Sequence, residues 1–385
     1  MNAPEKPYDE GVARAKMSFG SPEVAAQHGP VNVTRPLVPN RAKFDALLNG
    51  IFDRAQFTNE GPLVQRLAAD IREWLGLDQV QLVSSGASAL GLALDVVQAT
   101  GSVVTTPFTF AASPHSIALK GLRPIFADID PDTLCLDPVA AEAAMEAETS
   151  AILGTHVFGG PCDVEAFAEI GKRRQVAIVY DGAHAFGTRI AGRSVFEWGD
   201  ANALSFHATK IFHTFEGGGV VTRTATADER VRISKAHGID GMEVPMIGPN
   251  AKLSELHAAC GLVLLPLIHD EICRRSEVHR RYRDALHSTK IQFFKPATAE
   301  WNFAYCPILL EDEDKVLKVQ NALSNEGIGA RRYFCPALNT LPYYSQKSCP
   351  NAEDVARRVL CLPFGSWLDQ CVSDRICDIV LRTVR

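Results

Sequence analysis

Val176-Ala177-Ile178-Val179-Tyr180-Asp181-Gly182-Ala183-His184 decides the fold. Its first five residues are apolar almost throughout, as expected for a strand buried on both faces of a parallel sheet. An acid closes the run, and an ionised carboxylate at a buried strand end is costly unless it meets a cation. The alternative for Asp181 is a cap on the following turn.

Strand-like and helical runs alternate on both sides of that stretch. Residues 79–84 read as a strand that stops at Ser85-Gly86, and residues 87–97 as a helix with apolar spacing at Leu90, Leu94 and Val97. Further strands are expected over 103–106, 124–129, 151–157, 203–206 and 219–222, with helices over 111–119 and 165–174. Alternation on this scale predicts an α/β fold, a mostly parallel sheet of about seven strands covered by helices. Beyond Pro266 the pattern turns α+β, with a helix over 277–287, a strand over 303–310, a helix over 315–323 and a strand over 329–334. The expected organisation is an N-terminal arm over 1–30, a large domain over 31–268 and a small domain over 269–385.

A chain of 385 residues with 46% hydrophobic and 22% charged residues has the composition of an ordinary globular protein. Its net charge of −6 supplies no broad attraction to nucleic acid or an anionic membrane. No uninterrupted apolar run approaches the ~18 residues of a membrane span. The ten cysteines are scattered without a Cys-x-x-Cys pair. They read as thiols in a reducing cytosol rather than as disulfides or a metal site.

Ligands of open parallel sheets bind beyond the carboxyl ends of the strands. Gly86, Asp181 and the run Ser205-Phe206-His207-Ala208-Thr209-Lys210 all fall at such ends. Gly86 opens a helix, whose first N–H groups suit a phosphate; taken alone it is equally a tight turn. Ser205 adds a hydroxyl donor to the same place. Phe110, after Pro107-Phe108-Thr109, is either a flat face for a ring or a core aromatic. His184 is either a contact of a bound ring or a structural histidine. An acid at one strand end and a lysine beyond another is the pair that pyridoxal phosphate requires. Lys210 would condense with its aldehyde, and Asp181 would keep its pyridine nitrogen protonated.

Several dispersed motifs occur in one order: Phe57-Thr58-Asn59-Glu60-Gly61-Pro62, Ser84-Ser85-Gly86, Thr106-Pro107-Phe108-Thr109-Phe110, Phe126-Ala127-Asp128-Ile129, Asp181-Gly182-Ala183-His184-Ala185, the lysine run, Glu216-Gly217-Gly218 and Gly248-Pro249-Asn250-Ala251-Lys252-Leu253. Together they resemble the DegT/DnrJ/StrS-type sugar aminotransferases, a branch of the fold type I pyridoxal phosphate enzymes. The resemblance spans Val31 to the C-terminus. It implies Lys210 as the lysine that carries the cofactor, Asp181 at the pyridine nitrogen, His184 near the phenolic oxygen and Phe110 stacked on the ring. It also implies Gly86, the amide of Ala87 and Ser205 at the phosphate. Asn250 would reach the phosphate of a neighbouring subunit, in a homodimer with shared sites. The implied partners are L-glutamate and a nucleotide-linked keto sugar.

The lysine run with Thr214-Phe215-Glu216-Gly217-Gly218 looks most like enzymes that aminate dTDP-4-dehydro-6-deoxyglucose at C4. Arg331-Arg332-Tyr333-Phe334 supports that subgroup and offers Arg331, Arg332 and Tyr333 to a sugar nucleotide; an ordinary strand with a basic edge is the alternative there. Two departures stand out. Ala87 replaces a threonine, with Ser88 as the substitute hydroxyl, and Phe215 stands where the family favours glycine. A related dehydratase subgroup has histidine in place of the lysine, so Lys210 points to transamination. Dehydration of a sugar nucleotide and a regulatory or scaffold role for the retained fold are the competing readings.

Overall fold

The computed structural model describes residues 30–298, 300–344 and 347–384. The arm expected over 1–30 lies outside the described residues except for Pro30.

Helices α1 (Arg41–Arg54) and α2 (Pro62–Leu75) come first. They are followed by β1 (Gln81–Val83), α3 (Gly86–Val96), β2 (Ser102–Thr105), α4 (Ala112–Leu119), β3 (Arg123–Phe126), α5 (Pro138–Ala144), β4 (Thr149–Thr155), α6 (Val164–Arg174) and β5 (Ala177–Asp181). A hairpin of β6 (Arg189–Ile190) and β7 (Arg193–Ser194) precedes β8 (Ala201–Ser205), β9 (Gly218–Thr222) and α7 (Ala225–Ser234). The chain continues through α8 (Glu255–Leu264), α9 (Ile268–Leu286), β10 (Gln292–Phe293), β11 (Cys306–Leu309), α10 (Glu313–Asn325), α11 (Pro350–Arg358), β12 (Val359–Leu362) and α12 (Gln370–Val384).

Seven strands form one sheet in the order β1-β9-β8-β5-β4-β2-β3. The pairs from β8 to β3 are parallel, and β9 alone runs against its neighbours. Strands β2 and β9 are buried at every residue, as strands covered on both faces should be. The register sets Thr155 beside Asp181, Asp181 beside Ala203 and Ser205 beside Gly218. The carboxyl ends of β4, β5 and β8 therefore form one edge, with the start of β9 next to them. Past α9, a three-stranded antiparallel sheet β10-β11-β12 shares a second apolar core with α9, α10 and α12.

Residues 329–334 do not form the expected strand. Arg331 makes a single bridge to Cys361 of β12, and the chain then turns, with the Cys335 N–H donating to the Arg332 carbonyl at 3.1 Å. The turn is driven by aromatic packing. It places Phe334, 7% exposed, against Phe158 and His184 at 5.9 Å in each case, both rings nearly parallel to it.

Helical residues Glu255–Leu286 contain an 18-residue window of mean hydropathy 1.4, although no uninterrupted apolar run marks it. Its α8 part is a core helix, packed on α1 and α2 with eight of its ten residues buried. Glu255 opens that helix and is fully buried. Its two oxygens accept the N–H groups of Leu63 (3.1 Å) and Val64 (2.8 Å), and Arg54 reaches it at 3.4 Å. Helix α2 has no side-chain cap of its own, so Glu255 caps it from a distant segment. Replacing Glu255 with glutamine turns one acceptor into a donor facing an N–H. The expected loss is about 1–3 kcal/mol of stability, read as a lower urea midpoint.

Phe215 has φ +65°, the left-handed region that favours glycine. Its ring packs edge-on against Phe44 at 5.8 Å, a contact that a glycine would lack and that offsets the backbone strain.

Candidate active site

A cavity of about 350 Å³ lies over the carboxyl ends of β4, β5 and β8, and Tyr305, Arg331, Tyr333 and Phe334 also line it. The size falls within the range of small-molecule sites. Gly86, Ala87, Phe110, Asp181, His184, Ser205, Lys210, Arg331 and Tyr333 all line it. The fold thus gathers at one place residues spread between positions 86 and 333 of the sequence.

Helix α3 begins at Gly86 directly after β1, with Ser85 as N-cap accepting the Ser88 N–H at 3.1 Å. The Gly86 and Ala87 N–H groups have no acceptor among the described residues and face the cavity. A Cβ on Gly86 would stand 2.7 Å from the Cβ of Ser205, so only glycine lets the helix start and the end of β8 meet. Ser88 does not substitute for the hydroxyl missing at Ala87. Its Oγ is turned to Ser85 Oγ at 2.9 Å and Ser84 Oγ at 3.3 Å, outside the cavity wall.

Asp181 is 4% exposed. Ser113 Oγ donates to Oδ2 at 2.6 Å, and the Ala183 N–H donates to Oδ1 at 3.0 Å. Burial pushes its carboxyl above the usual range, opposed by those two hydrogen bonds and by the Lys210 charge. Lys210 follows β8 on a turn held by its own N–H to the His207 carbonyl, 2.8 Å. Its Nζ has no hydrogen-bond or ion-pair partner among the described residues. Desolvation lowers its pKa, against the attraction of Asp181 and Tyr333. The result is an amine lining the cavity whose charged form is disfavoured by burial.

His184 is buried, and the Phe158 N–H donates to its Nδ1 at 3.3 Å. Burial, with a smaller push from Lys210, keeps the ring neutral. With Nδ1 accepting, the ring proton sits on Nε2. The ring is packed by Tyr305, 4.8 Å between centroids, and by Phe334. Phe110, 61% exposed, presents a bare aromatic face to the cavity.

Two expected residues lie elsewhere. Arg332 points away from the cavity. It donates to Glu313 at 2.6 Å and to the carbonyls of Ala356 and Arg357, at the C-terminal end of α11, where a cation is favoured. Neighbouring side chains on extended backbone diverge, which is why Arg331 lines the cavity and Arg332 does not. Asn250 is exposed, outside this chain's cavity, with its Oδ1 accepting from Lys252 Nζ at 2.7 Å.

Sequence reasoning missed Ser113, Thr109, Thr155, Tyr305, His207 and Glu216, which bond Asp181 or line the cavity. Ser113 carried the one available signal, a hydroxyl in the first turn of an apolar helix after a strand end. Tyr305 sits in the irregular segment just before β11 and carried none.

The DegT/DnrJ/EryC1/StrS aminotransferase family profile matches residues 40–381. The dTDP-4-amino-4,6-dideoxy-D-glucose transaminase of Shigella dysenteriae is 38% identical over 92% of this chain and 98% of its own length. The Escherichia coli transaminase of the same name is 34% identical over 91% of this chain and 98% of its own. The crystal structure of DesI in the presence of its TDP-sugar product superimposes with a TM-score of 0.87 at 34% identity, covering 92% of this chain and 93% of DesI.

Proposed function

The chain belongs to the DegT/DnrJ/EryC1/StrS aminotransferase family, and from that premise we propose that it moves the amino group of L-glutamate onto C4 of a nucleotide-linked 4-keto-6-deoxy sugar, with pyridoxal phosphate as cofactor. The preferred substrate is dTDP-4-dehydro-6-deoxy-D-glucose and the product dTDP-4-amino-4,6-dideoxy-D-glucose, the sugar in the names of both transaminase relatives. The observation that carries the reading is Lys210 and Asp181 facing one cavity that Gly86 and Ala87, the first residues of α3, also line.

The residues present fit the cofactor. The free Gly86 and Ala87 amides and the Ser205 hydroxyl would hold its phosphate. Phe110 would cover one face of the ring, Asp181 would bind the ring N–H through a charge-assisted bond, and His184 would donate from Nε2 to the phenolic oxygen. When bound, pyridoxal phosphate supplies an electron sink for the bond being broken at the amine-bearing carbon. Lys210 Nζ would take the proton from the α-carbon of glutamate and later deliver one to the sugar carbon. The walls around it, Tyr305 and Phe334, are buried and keep bulk water from that amine.

Both substrates are anions. Arg331 is exposed at the cavity mouth, donates to the Tyr333 hydroxyl at 3.2 Å and has no carboxylate partner among the described residues. With Tyr333 it would receive the anionic part of the sugar nucleotide. Arg331→Gln is expected to raise the KM for that substrate about tenfold with little change in kcat, since one charged hydrogen bond is lost. Steady-state kinetics over a range of sugar-nucleotide concentrations check this.

We also propose a homodimer in which Asn250 serves the neighbouring subunit's phosphate. The segment before it exposes Ile239, Met242, Val244 and Ile247, and a patch of that kind is the usual mark of an interface.

Product analysis with and without glutamate tests the function. Amination should require glutamate and release an equal amount of 2-oxoglutarate. Conversion of the sugar nucleotide without glutamate would instead mean dehydration, and no conversion with any keto-sugar nucleotide would favour a regulatory or scaffold role.

A further inference from the structure

Asp181 is the end of a chain of buried hydroxyls that runs through three separate segments. Ser113 Oγ, in the first turn of α4, donates to Asp181 Oδ2 at 2.6 Å. Thr109 Oγ1, in the connection before α4, lies 3.0 Å from Ser113 Oγ. Thr155 Oγ1, the last residue of β4, lies 3.1 Å from Thr109 Oγ1. None of the four side chains is more than 4% exposed.

Proton counting fixes the direction of this chain. A carboxylate only accepts, and each hydroxyl has one proton. Ser113 is also 3.3 Å from the Phe110 carbonyl, but the charged oxygen is both nearer and the stronger acceptor. Its proton therefore goes to Asp181, so Thr109 must donate to Ser113, and Thr155 must donate to Thr109. All three O–H dipoles point at the carboxylate, and hydrogen bonds aligned head to tail strengthen one another.

We infer that Ser113, polarised by Thr109 and Thr155, is a positioning residue that holds Asp181 ionised and in one orientation, so that the proton shared with the cofactor's ring nitrogen stays on the ring. This rests on the cofactor assigned under the proposed function. Burial alone favours the neutral acid, and a neutral Asp181 with an unprotonated ring would be the competing arrangement. The hydroxyl chain tips that balance toward the ion pair.

The test uses holoenzyme reconstituted with pyridoxal phosphate labelled with ¹⁵N in the ring, whose chemical shift reports whether that nitrogen carries the proton. Ser113→Ala is expected to shift the bound signal toward the unprotonated value, while Ser113→Thr, which keeps the hydroxyl, stays with wild type. Thr109→Val should shift it the same way by less, because it removes only the polarising donor. The kcat of Ser113→Ala should fall about 10- to 100-fold, the usual cost of losing the partner that orients a functional ligand, with KM values within about twofold. A bound Ser113→Ala signal that matches wild type would overturn the inference, even if activity falls. If Ser113→Ala does not fold, Thr109→Val decides by the same criterion. Failure of wild-type protein to bind the labelled cofactor would be a different result, because it would remove the proposed function itself.

Discussion

Lys210→Ala is expected to abolish amino transfer, with turnover down by at least about 10⁴-fold, while the protein melts where the wild type does. The two halves of that expectation have separate causes. Among the described residues Lys210 is the one amine lining the cavity with Asp181 and Gly86, and the proposed chemistry uses it twice, to carry the cofactor and to move the proton. Groups that act in sequence on one reaction are not replaced piecemeal by their neighbours. Structurally, the side chain contributes only its charge's attraction for Asp181, which is weaker than either hydrogen bond to that carboxylate. Its Nζ makes no hydrogen bond or ion pair among the described residues, and desolvation already disfavours its charge. Removing it leaves no buried group unpaired. Amino-transfer rates near wild type in this variant would refute the assignment of the lysine.

Replacement of Asp181 should have the next largest effect, about 10²- to 10³-fold in kcat, the scale on which a single preorganised electrostatic partner counts. Asp181→Ala removes the carboxylate that would hold the ring nitrogen protonated, and it also strands the Ser113 hydroxyl that donates at 2.6 Å. Asp181→Asn separates the two consequences. The amide keeps the shape and can still accept from Ser113, but its NH₂ faces the ring as a donor and favours an unprotonated nitrogen. Both variants should therefore be similarly poor. If asparagine restored wild-type kinetics, the role of Asp181 would be shape alone, and the ion pair with the cofactor would be wrong.

What the sequence made legible follows from how each signal is written in it. Asp181 stands out because it closes a short apolar run and Lys210 because it lies just beyond another strand end, and the carboxyl ends of parallel strands are where such folds bind ligands. The sheet itself was readable for the same reason. Strands covered on both faces carry short apolar cores, as at Val103-Val104 of β2, 151–153 of β4, 177–180 of β5 and Val220-Val221 of β9. Ser113 was not readable as a partner of Asp181, because the contact joins residues 68 apart through packing of α4 on the sheet edge. The expected strand over 329–334 failed because its apolar and aromatic residues satisfy a tertiary cluster around His184 rather than a ladder. Arg331 and Arg332 are identical in sequence terms, yet one reaches the cavity and the other caps α11. Strand β12 has no boundary signal in the sequence because it follows α11 without a break, and only its pairing with β11 reveals it.

Absorbance spectroscopy of the purified protein with pyridoxal phosphate, before and after L-glutamate, tests the central claim most directly. The account predicts a visible band that borohydride fixes onto a peptide containing Lys210. It predicts that glutamate bleaches this band, and that dTDP-4-dehydro-6-deoxy-D-glucose restores it. Folded protein that shows no such band, or a band that glutamate leaves unchanged, would contradict it.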